Sequence, residues 1–185
     1  MSSTSAAPSS LEAAKERRTN RRQMNRKWSY FIVFTSLAVI GSFLKIPSSI
    51  GSVAFDSFPA LVAASILSPV WGMGTAAFGH IMSAALDGFP LGPLHVIIAV
   101  QMMLIVGFYG WLYRRSWRIP AVVSFVIGNG VLAPICFWPI LGRAMAVSLI
   151  PSLTTAATLN SVVALLVAPR LSKALSARAK KGFDV

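Results

Sequence analysis

The stretch from Phe55 to Gly72 reads FDSFPALVAASILSPVWG. Its centre is a short apolar run, preceded by Asp56 and Pro59 and closed by the pair Ser68-Pro69. Serine and proline close apolar runs because they favour helix ends and turns, so this run predicts a short helix from near Phe55 to near Ser68. Other apolar runs lie before and after it. If these runs are membrane spans, whether this short helix counts as one crossing decides on which side each later loop lies.

The remaining apolar runs predict helices over about 28–44, 70–86, 91–113, 119–140 and 146–168. The chain has 185 residues, of which 55% are hydrophobic and 12% are charged. That charged share is about half of the usual one for a soluble domain, which must cover its core with polar residues. A bilayer-embedded fold has no such need. The sequence thus predicts an all-α polytopic membrane bundle of about six transmembrane helices.

Basic residues gather at three places along the chain. They precede the first apolar run (Lys15, Arg17, Arg18, Arg21, Arg22, Arg26, Lys27), fill one loop (Arg114, Arg115, Arg118) and follow the last run (Arg170, Lys173, Arg178, Lys180, Lys181). Positive clusters beside apolar spans mark cytoplasmic loops, and six crossings put all three clusters on that side. We therefore expect a multi-pass plasma-membrane protein with both termini in the cytoplasm (N-in/C-in). Residues 1–27 and 171–185 would be basic tails, and residues 28–170 the membrane domain.

The net charge of +12 follows this topology, so we expect contact with the lipid bilayer and no nucleic acid as partner. The single cysteine, Cys136, supports neither a disulfide framework nor a metal cluster. A phosphate-binding loop, a zinc-protease motif and a dinucleotide fingerprint are also missing from the sequence. We therefore expect no enzyme activity, no cofactor and no metal, and any energy from ATP must come from another subunit. The halves of the chain show no clear internal repeat, which weakens the case for a self-sufficient transporter.

Polar residues in and beside the apolar runs are the candidates for a site. Lys45, Asp56, Asp87, His95 and Arg143 fall at the outer helix ends, and His80, Gln101, Asn129 and Asn160 lie deeper. His80 and Asp87 are seven residues apart and share a helical face, with Ser83 between them. Two interpretations stay open. These residues are solvated helix ends and interhelical hydrogen bonds, or they frame a polar cavity that opens outward.

The short helix, its closing turn and the third helix together resemble a known family. Residues 55–61, the turn Ser68-Pro69-Val70-Trp71-Gly72 and the glycine- and alanine-rich third helix resemble the substrate-binding (S) components of energy-coupling factor (ECF) vitamin transporters. The resemblance covers about residues 28–170, and Ser68 stands where the family usually has glycine. Residues 79–95 are similar to the branch associated with uptake of α-ribazole for cobalamin salvage.

This resemblance implies six short helices, a ligand bound in the outer half of the bundle, and partners that consist of a membrane scaffold subunit and two ATPases. It also implies that the loop from Lys45 to Phe55, including Ser49, acts as a lid. Ala38 and Ser42 are the nearest match to the family's small-residue motif for contact with the scaffold subunit. The alternatives from the residues alone are an independent secondary transporter or channel, a membrane enzyme, and an assembly protein.

Aromatic and hydrogen-bonding residues share the outer half, where Phe55, Phe58, Phe89 and Trp138 offer aromatic walls. A flat heteroaromatic ring joined to a sugar would use both kinds of group. Two acids and two bases lie there as well, which does not indicate a highly charged ligand. The predicted substrate-binding residues are Asp56, Phe58, His80, Ser83, Asp87, His95 and Asn160.

Overall fold

The computed structural model describes residues 10–47 and 52–181. Its elements in chain order are α1 (Ser10–Phe43), β1 (Lys45–Pro47), β2 (Ser52–Ala54), α2 (Phe58–Ile66), α3 (Pro69–Leu86), α4 (Leu94–Arg114), α5 (Arg118–Ile127), α6 (Ala133–Cys136), α7 (Trp138–Leu141) and α8 (Arg143–Lys181). A π-helical turn, Gly128–Leu132, joins α5 to α6. Each of the six apolar runs is helical over most of its predicted length.

Three helices differ from the predicted runs, since α8 also continues to Lys181, through basic residues that were predicted as a tail. Helix α1 begins at Ser10, so the basic segment before the first apolar run continues the same helix. Glutamate, arginine, lysine and glutamine are good helix formers, which explains why the helix extends beyond the apolar part. The fifth run is interrupted, because the π-helical turn Gly128–Leu132 and two prolines, Pro134 and Pro139, divide it into short pieces.

A two-stranded hairpin lies in the loop that precedes α2. Strands β1 and β2 are antiparallel, with Lys45 opposite Ala54 and Ile46 opposite Val53. Strand β2 contacts α8 and the end of α1. The hairpin therefore lies against α1 and α8, next to the start of α2.

Helix α2 is the centre of the bundle. Its residues from Ala60 to Ala64 are at most 1% exposed, and it packs against α1, α3, α4 and α8. A helix that is covered on all sides must be apolar on all sides, which is how this run reads. Small side chains such as Ala60, Ala63 and Ala64 allow the surrounding helices to approach closely.

The outer surface of the bundle is apolar. Large hydrophobic side chains are exposed along several helices, including Ile40, Phe78, Leu104, Phe108, Val162 and Leu166. Soluble monomers rarely expose so much apolar surface. Among the described residues, three helical segments are long and apolar enough to cross a membrane: Leu94–Arg114, Arg118–Cys136 and Arg143–Ala177. The protein is thus a helical membrane protein, while the count of six spans and the side of the termini remain predictions.

Helix α2 has only nine residues. At 1.5 Å per residue it covers roughly 14 Å, about half of the hydrocarbon core of a bilayer. It therefore cannot cross a bilayer alone.

Small residues on α3 make close contacts with the neighbouring helices. A Cβ atom on Gly72 of α3 would clash with the Cβ atom of Ala64 of α2 and lie 2.7 Å from its Cα atom. A Cβ atom on Gly79 would lie 2.8 Å from the Cβ atom of Ala38 on α1. Gly72, Ala76 and Gly79 are all buried, so these small residues belong to the internal packing of the bundle.

We predict that Gly72→Ala lowers the free energy of unfolding by about 1–3 kcal/mol, because the added methyl meets the α2 backbone and cannot be accommodated by side-chain rotation. Gly74→Ala is the matched control on the same helix, where the nearest atom to a new Cβ is a Phe31 ring carbon at 3.0 Å. A ring can shift, and alanine favours helix over glycine, so this control should be close to neutral. Melting of the purified protein in detergent measures both. Equal effects of the two changes would contradict the α2–α3 contact.

Candidate functional site

Two histidines from neighbouring helices meet in the structure. His80 lies on α3 and His95 in the first turn of α4, with 3.1 Å between His80 Nε2 and His95 Nδ1. The ring centroids are 5.2 Å apart, and His95 is only 6% exposed. The sequence suggested each histidine separately, and the fold brings them together as one pair.

The hydrogen bonds around the pair assign its protons. The backbone N–H of Leu91 donates to Nε2 of His95 at 3.3 Å, so this nitrogen carries a lone pair. In a neutral ring the proton of His95 is then on Nδ1, which donates to Nε2 of His80. The proton of a neutral His80 is consequently on its Nδ1. The hydrogen bonds therefore all run in one direction, from Leu91 to His95 to His80, and the Nδ1–H of His80 remains as a donor.

The turn between α3 and α4 holds an aromatic ring against the pair. Gly88, Phe89 and Gly92 all have positive φ angles, of 76°, 51° and 55°. Such an angle is uncommon for a residue with a side chain, and at Phe89 it accompanies a 2.7 Å hydrogen bond from its N–H to the carbonyl of Ala84. The Phe89 ring lies edge-on to His95 with 5.8 Å between centroids. The turn therefore places an aromatic ring beside the two imidazoles.

The polar residues of α3 run inward along the helix from Asp87 through Ser83 to His80, as the sequence predicts. Asp87 is exposed at the end of α3, Ser83 is 8% exposed, and His80 is half-buried. The Ser83 hydroxyl is buried and has no hydrogen-bond partner among the described residues. An unpaired buried hydroxyl is costly, and it becomes satisfied when water or a ligand reaches it.

Asn160 of α8 binds the first backbone amides of α2. Its Oδ1 accepts hydrogen bonds from the N–H groups of Ser57 at 3.1 Å and Phe58 at 2.8 Å. Its Nδ2 donates to the carbonyl of Ala156 at 2.8 Å, and the residue is 1% exposed. Asn160 thus caps α2 from a remote helix, while its predicted contact with a ligand stays a prediction.

Comparison with known proteins gives the family. The sequence matches the family model of the ECF transporter substrate-specific component over residues 32–175. The chain belongs to this family. Among curated proteins, nothing matches this sequence. S components are parts of transporters rather than enzymes, and they work with an ECF module and a small-molecule substrate.

Further unpaired polar atoms lie on the helices of this S component. Gln101 Oε1 on α4, and Thr154 Oγ1 and Ser161 Oγ on α8, are buried without a hydrogen-bond partner among the described residues. The π-helical turn approaches α8 here, since a Cβ atom on Gly130 would lie 2.7 Å from the Cα atom of Thr154. π-helical turns often occur at functional sites. The sequence identified Gln101 as a deep polar residue but gave no sign of the interrupted helix beside Thr154.

Asp56 and Phe58 stand at the start of α2. Asp56 Oδ1 accepts a hydrogen bond from the Ser57 hydroxyl at 2.9 Å, and Phe58 is half-buried and packs against the core. The structure brings both residues close to Asn160 through the cap of α2. Their contact with a ligand is untested and remains a prediction.

The predicted lid residues are described only in part. The N–H of Phe55 donates to the carbonyl of Gly41 at 3.1 Å, which ties the end of the loop to α1. The backbone of Lys45 pairs in β1, and its side chain is outside the described set. Ser49 lies outside the described residues. The lid therefore remains a prediction.

The predicted partner-contact residues face the interior. Ala38 is 2% exposed and packs on Gly79, and Ser42 is 7% exposed with its hydroxyl bonded to the carbonyl of Val39 at 2.6 Å. A contact of these two side chains with a scaffold subunit would require α1 to part from α3. That contact stays a prediction.

Two further points concern the aromatic residue Trp138 and the possibility of a metal site. Trp138 is 42% exposed, with the Arg143 guanidinium carbon 5.3 Å from its ring centroid. Within residues 10–47 and 52–181, no three histidine, cysteine, aspartate or glutamate side chains gather in a way that could hold a metal ion.

We predict that Asn160→Ala lowers the free energy of unfolding by about 2 kcal/mol or more, because two buried N–H groups lose their acceptor. Thr158→Ala is the matched control, since Thr158 is exposed and its hydroxyl bonds only within α8, to the carbonyl of Thr154 at 2.8 Å. Thermal melting in detergent compares them. If Asn160→Ala kept the wild-type melting temperature and lost only ligand affinity, Asn160 would be a ligand contact and not a helix cap.

Proposed function

We propose that this S component captures a vitamin or a vitamin precursor from outside the cell and passes it to an ECF module, with α-ribazole as the best candidate ligand. The His80–His95 pair carries the proposal. It is an ordered hydrogen-bonding unit at the α3–α4 junction, in which His95 is buried, His80 is half-buried and the Phe89 ring lies against His95. Polar groups of this kind within a membrane bundle are expensive and tend to serve a substrate.

The chemistry of the polar and aromatic groups of this bundle favours a ligand with an aromatic part and hydroxyl groups. Phe89 offers a ring, His80 Nδ1 a donor, and the unpaired oxygens of Ser83, Gln101 and Ser161 offer further hydrogen bonds. These groups come from α3, α4, α8 and the turn between α3 and α4, and all three helices pack against α2. A benzimidazole joined to a ribose, as in α-ribazole, matches such a mixture.

The hairpin supports the proposed lid. Strand β2 contacts α8 and α1, and the loop ends at Phe55, immediately before the capped start of α2. A segment in this place can cover a ligand that lies above α2. The proposal includes Lys45, Ser49 and Phe55 in this lid.

A groove between α1 and α3 supports contact with the scaffold subunit. It has a volume of about 430 Å³ and is lined by side chains such as Ile32, Ser36, Ile40, Phe78 and Met82. Ala38 and Ser42 lie on the same helix, on its buried side. We propose that the scaffold subunit docks along α1 at this groove and that two ATPases supply the energy.

The proposed orientation has six crossings and both termini in the cytoplasm of a plasma-membrane protein. The three basic clusters support it, because only an even number of crossings between successive clusters keeps all of them on one side. The His80–His95 pair then belongs to the outer half of the bundle, where an incoming ligand arrives.

We predict that the purified protein binds one of α-ribazole, biotin, niacin, thiamine or riboflavin at micromolar concentration or below in a calorimetric titration. His80→Ala should weaken that binding roughly 5- to 10-fold, because one hydrogen bond to the ligand is lost. Met82→Ala, on the same helix with a half-exposed side chain, is the matched control and should bind as the wild type does. If none of the five compounds bound, the vitamin proposal would be wrong.

We predict that proteoliposomes containing this chain alone do not accumulate the ligand, and that addition of a scaffold subunit and two ATPases produces uptake that depends on ATP. The physical reason is that the sequence contains no phosphate-binding loop and no repeat for alternating access. The measurement is uptake of radiolabelled ligand, with a non-hydrolysable ATP analogue as control. Uptake by the chain alone would instead identify an independent secondary transporter.

A further inference from the structure

A crevice lies at the basic end of the bundle, beside the last turn of α2. Its first part is a groove of about 240 Å³ between α1, α2 and α8. The polar lining residues of this groove are Gln23, Arg26, Lys27, Ser172 and Ser176, and Tyr30, Ile66, Leu67 and Leu175 contribute apolar surface. Cations, hydroxyl groups and apolar side chains thus line the same groove.

A second groove continues the crevice on the other side of α8. It has a volume of about 250 Å³ and shares Ile66 and Ser172 with the first. Arg118 and Lys173 are its cations, and Tyr113 adds a hydroxyl group. The described residues that line the two grooves include four cations and no acid.

The composition of the crevice favours an anionic group with an apolar continuation. Arginine and lysine bind phosphate strongly, and hydroxyl groups complete its hydrogen bonds. A soluble phosphate would use only the polar lining residues, whereas a phospholipid also uses the apolar surface of Tyr30, Ile66 and Leu175. Basic pockets between transmembrane helices bind anionic lipid headgroups for these reasons.

We propose that this crevice is a binding site for an anionic phospholipid. The phosphate lies at Arg26 and Lys27, and the glycerol and the first methylene groups lie against Tyr30, Ile66 and Leu175. The site is at the opposite end of α2 from Asn160 and is separate from the proposed ligand region. It does not depend on the identity of the transported ligand.

The test is native mass spectrometry of the delipidated protein in detergent, titrated with phosphatidylglycerol, cardiolipin or phosphatidylcholine. We expect the anionic lipids to be retained and phosphatidylcholine to be retained far less. The double variant Arg26→Gln/Lys27→Gln should reduce retention of phosphatidylglycerol roughly 10-fold or more, because two cations are removed from the headgroup.

The double variant Arg21→Gln/Arg22→Gln is the matched control. It removes the same charge from the same helix, at residues that are not among those lining the groove. A retained anionic lipid in this control, together with its loss from the groove variant, supports the site. An equal loss in both variants would mean diffuse attraction to the basic helix and would overturn the proposal.

A second variant and a competition experiment complete the test. Ser172→Phe keeps every charge and fills the point that both grooves share, so it should also displace the lipid. Retention of phosphatidylglycerol by this variant at the wild-type level would overturn the proposal. Glycerol 3-phosphate and inorganic phosphate, added in excess, should not displace the lipid. If either displaced it fully, the site would be one for a soluble phosphate.

Discussion

The hydrogen bonds from the N–H groups of Ser57 and Phe58 to Asn160 are the interaction on which the rest of this structure depends. A helix that begins inside a membrane bundle has N–H groups that water cannot reach, and each must find a partner within the protein. The residues at the start of α2 do not supply one, because Ser57 makes no capping bond to the helix. Helix α8 supplies it instead, which fixes the register of α8 against α2.

The burial of α2 follows from this arrangement. Since the helix starts within the bundle and has nine residues, it has no exposed face and is packed by α1, α3, α4 and α8. Contacts as close as those of Gly72 and Gly110 with Ala64 leave no room for a larger residue. In lipid, where the hydrophobic effect does not drive helices together, such close packing is a main source of stability.

Some of this could be predicted from the sequence, and some could not. Apolar runs predict helices because their length and the residues that end them are local signals, and each of the six runs is helical over most of its predicted length. The cap by Asn160 joins residues about one hundred positions apart, and no local signal reports it. The meeting of His80 and His95 depends on the direction of the turn between α3 and α4. That turn contains three positive φ angles, and the one at Phe89 is set by the folded chain rather than by a local preference of the residue.

The two ends of α2 also explain why charge is so unevenly spread over the protein. The N–H groups at its start need an acceptor, and a neutral amide provides one without a buried charge. The carbonyl groups at its end need donors, and Arg114 donates to the carbonyl of Leu67 at 3.4 Å. Cations are favoured at a helix C-terminus by the helix dipole as well as by these hydrogen bonds. The basic residues around Ile66 and Leu67 therefore have a structural reason to be at this end, in addition to any role in setting the orientation in the membrane. The same dipole favours neutral or negative groups at the start of α2, where Asp56 precedes the helix and the Asn160 amide accepts from its N–H groups.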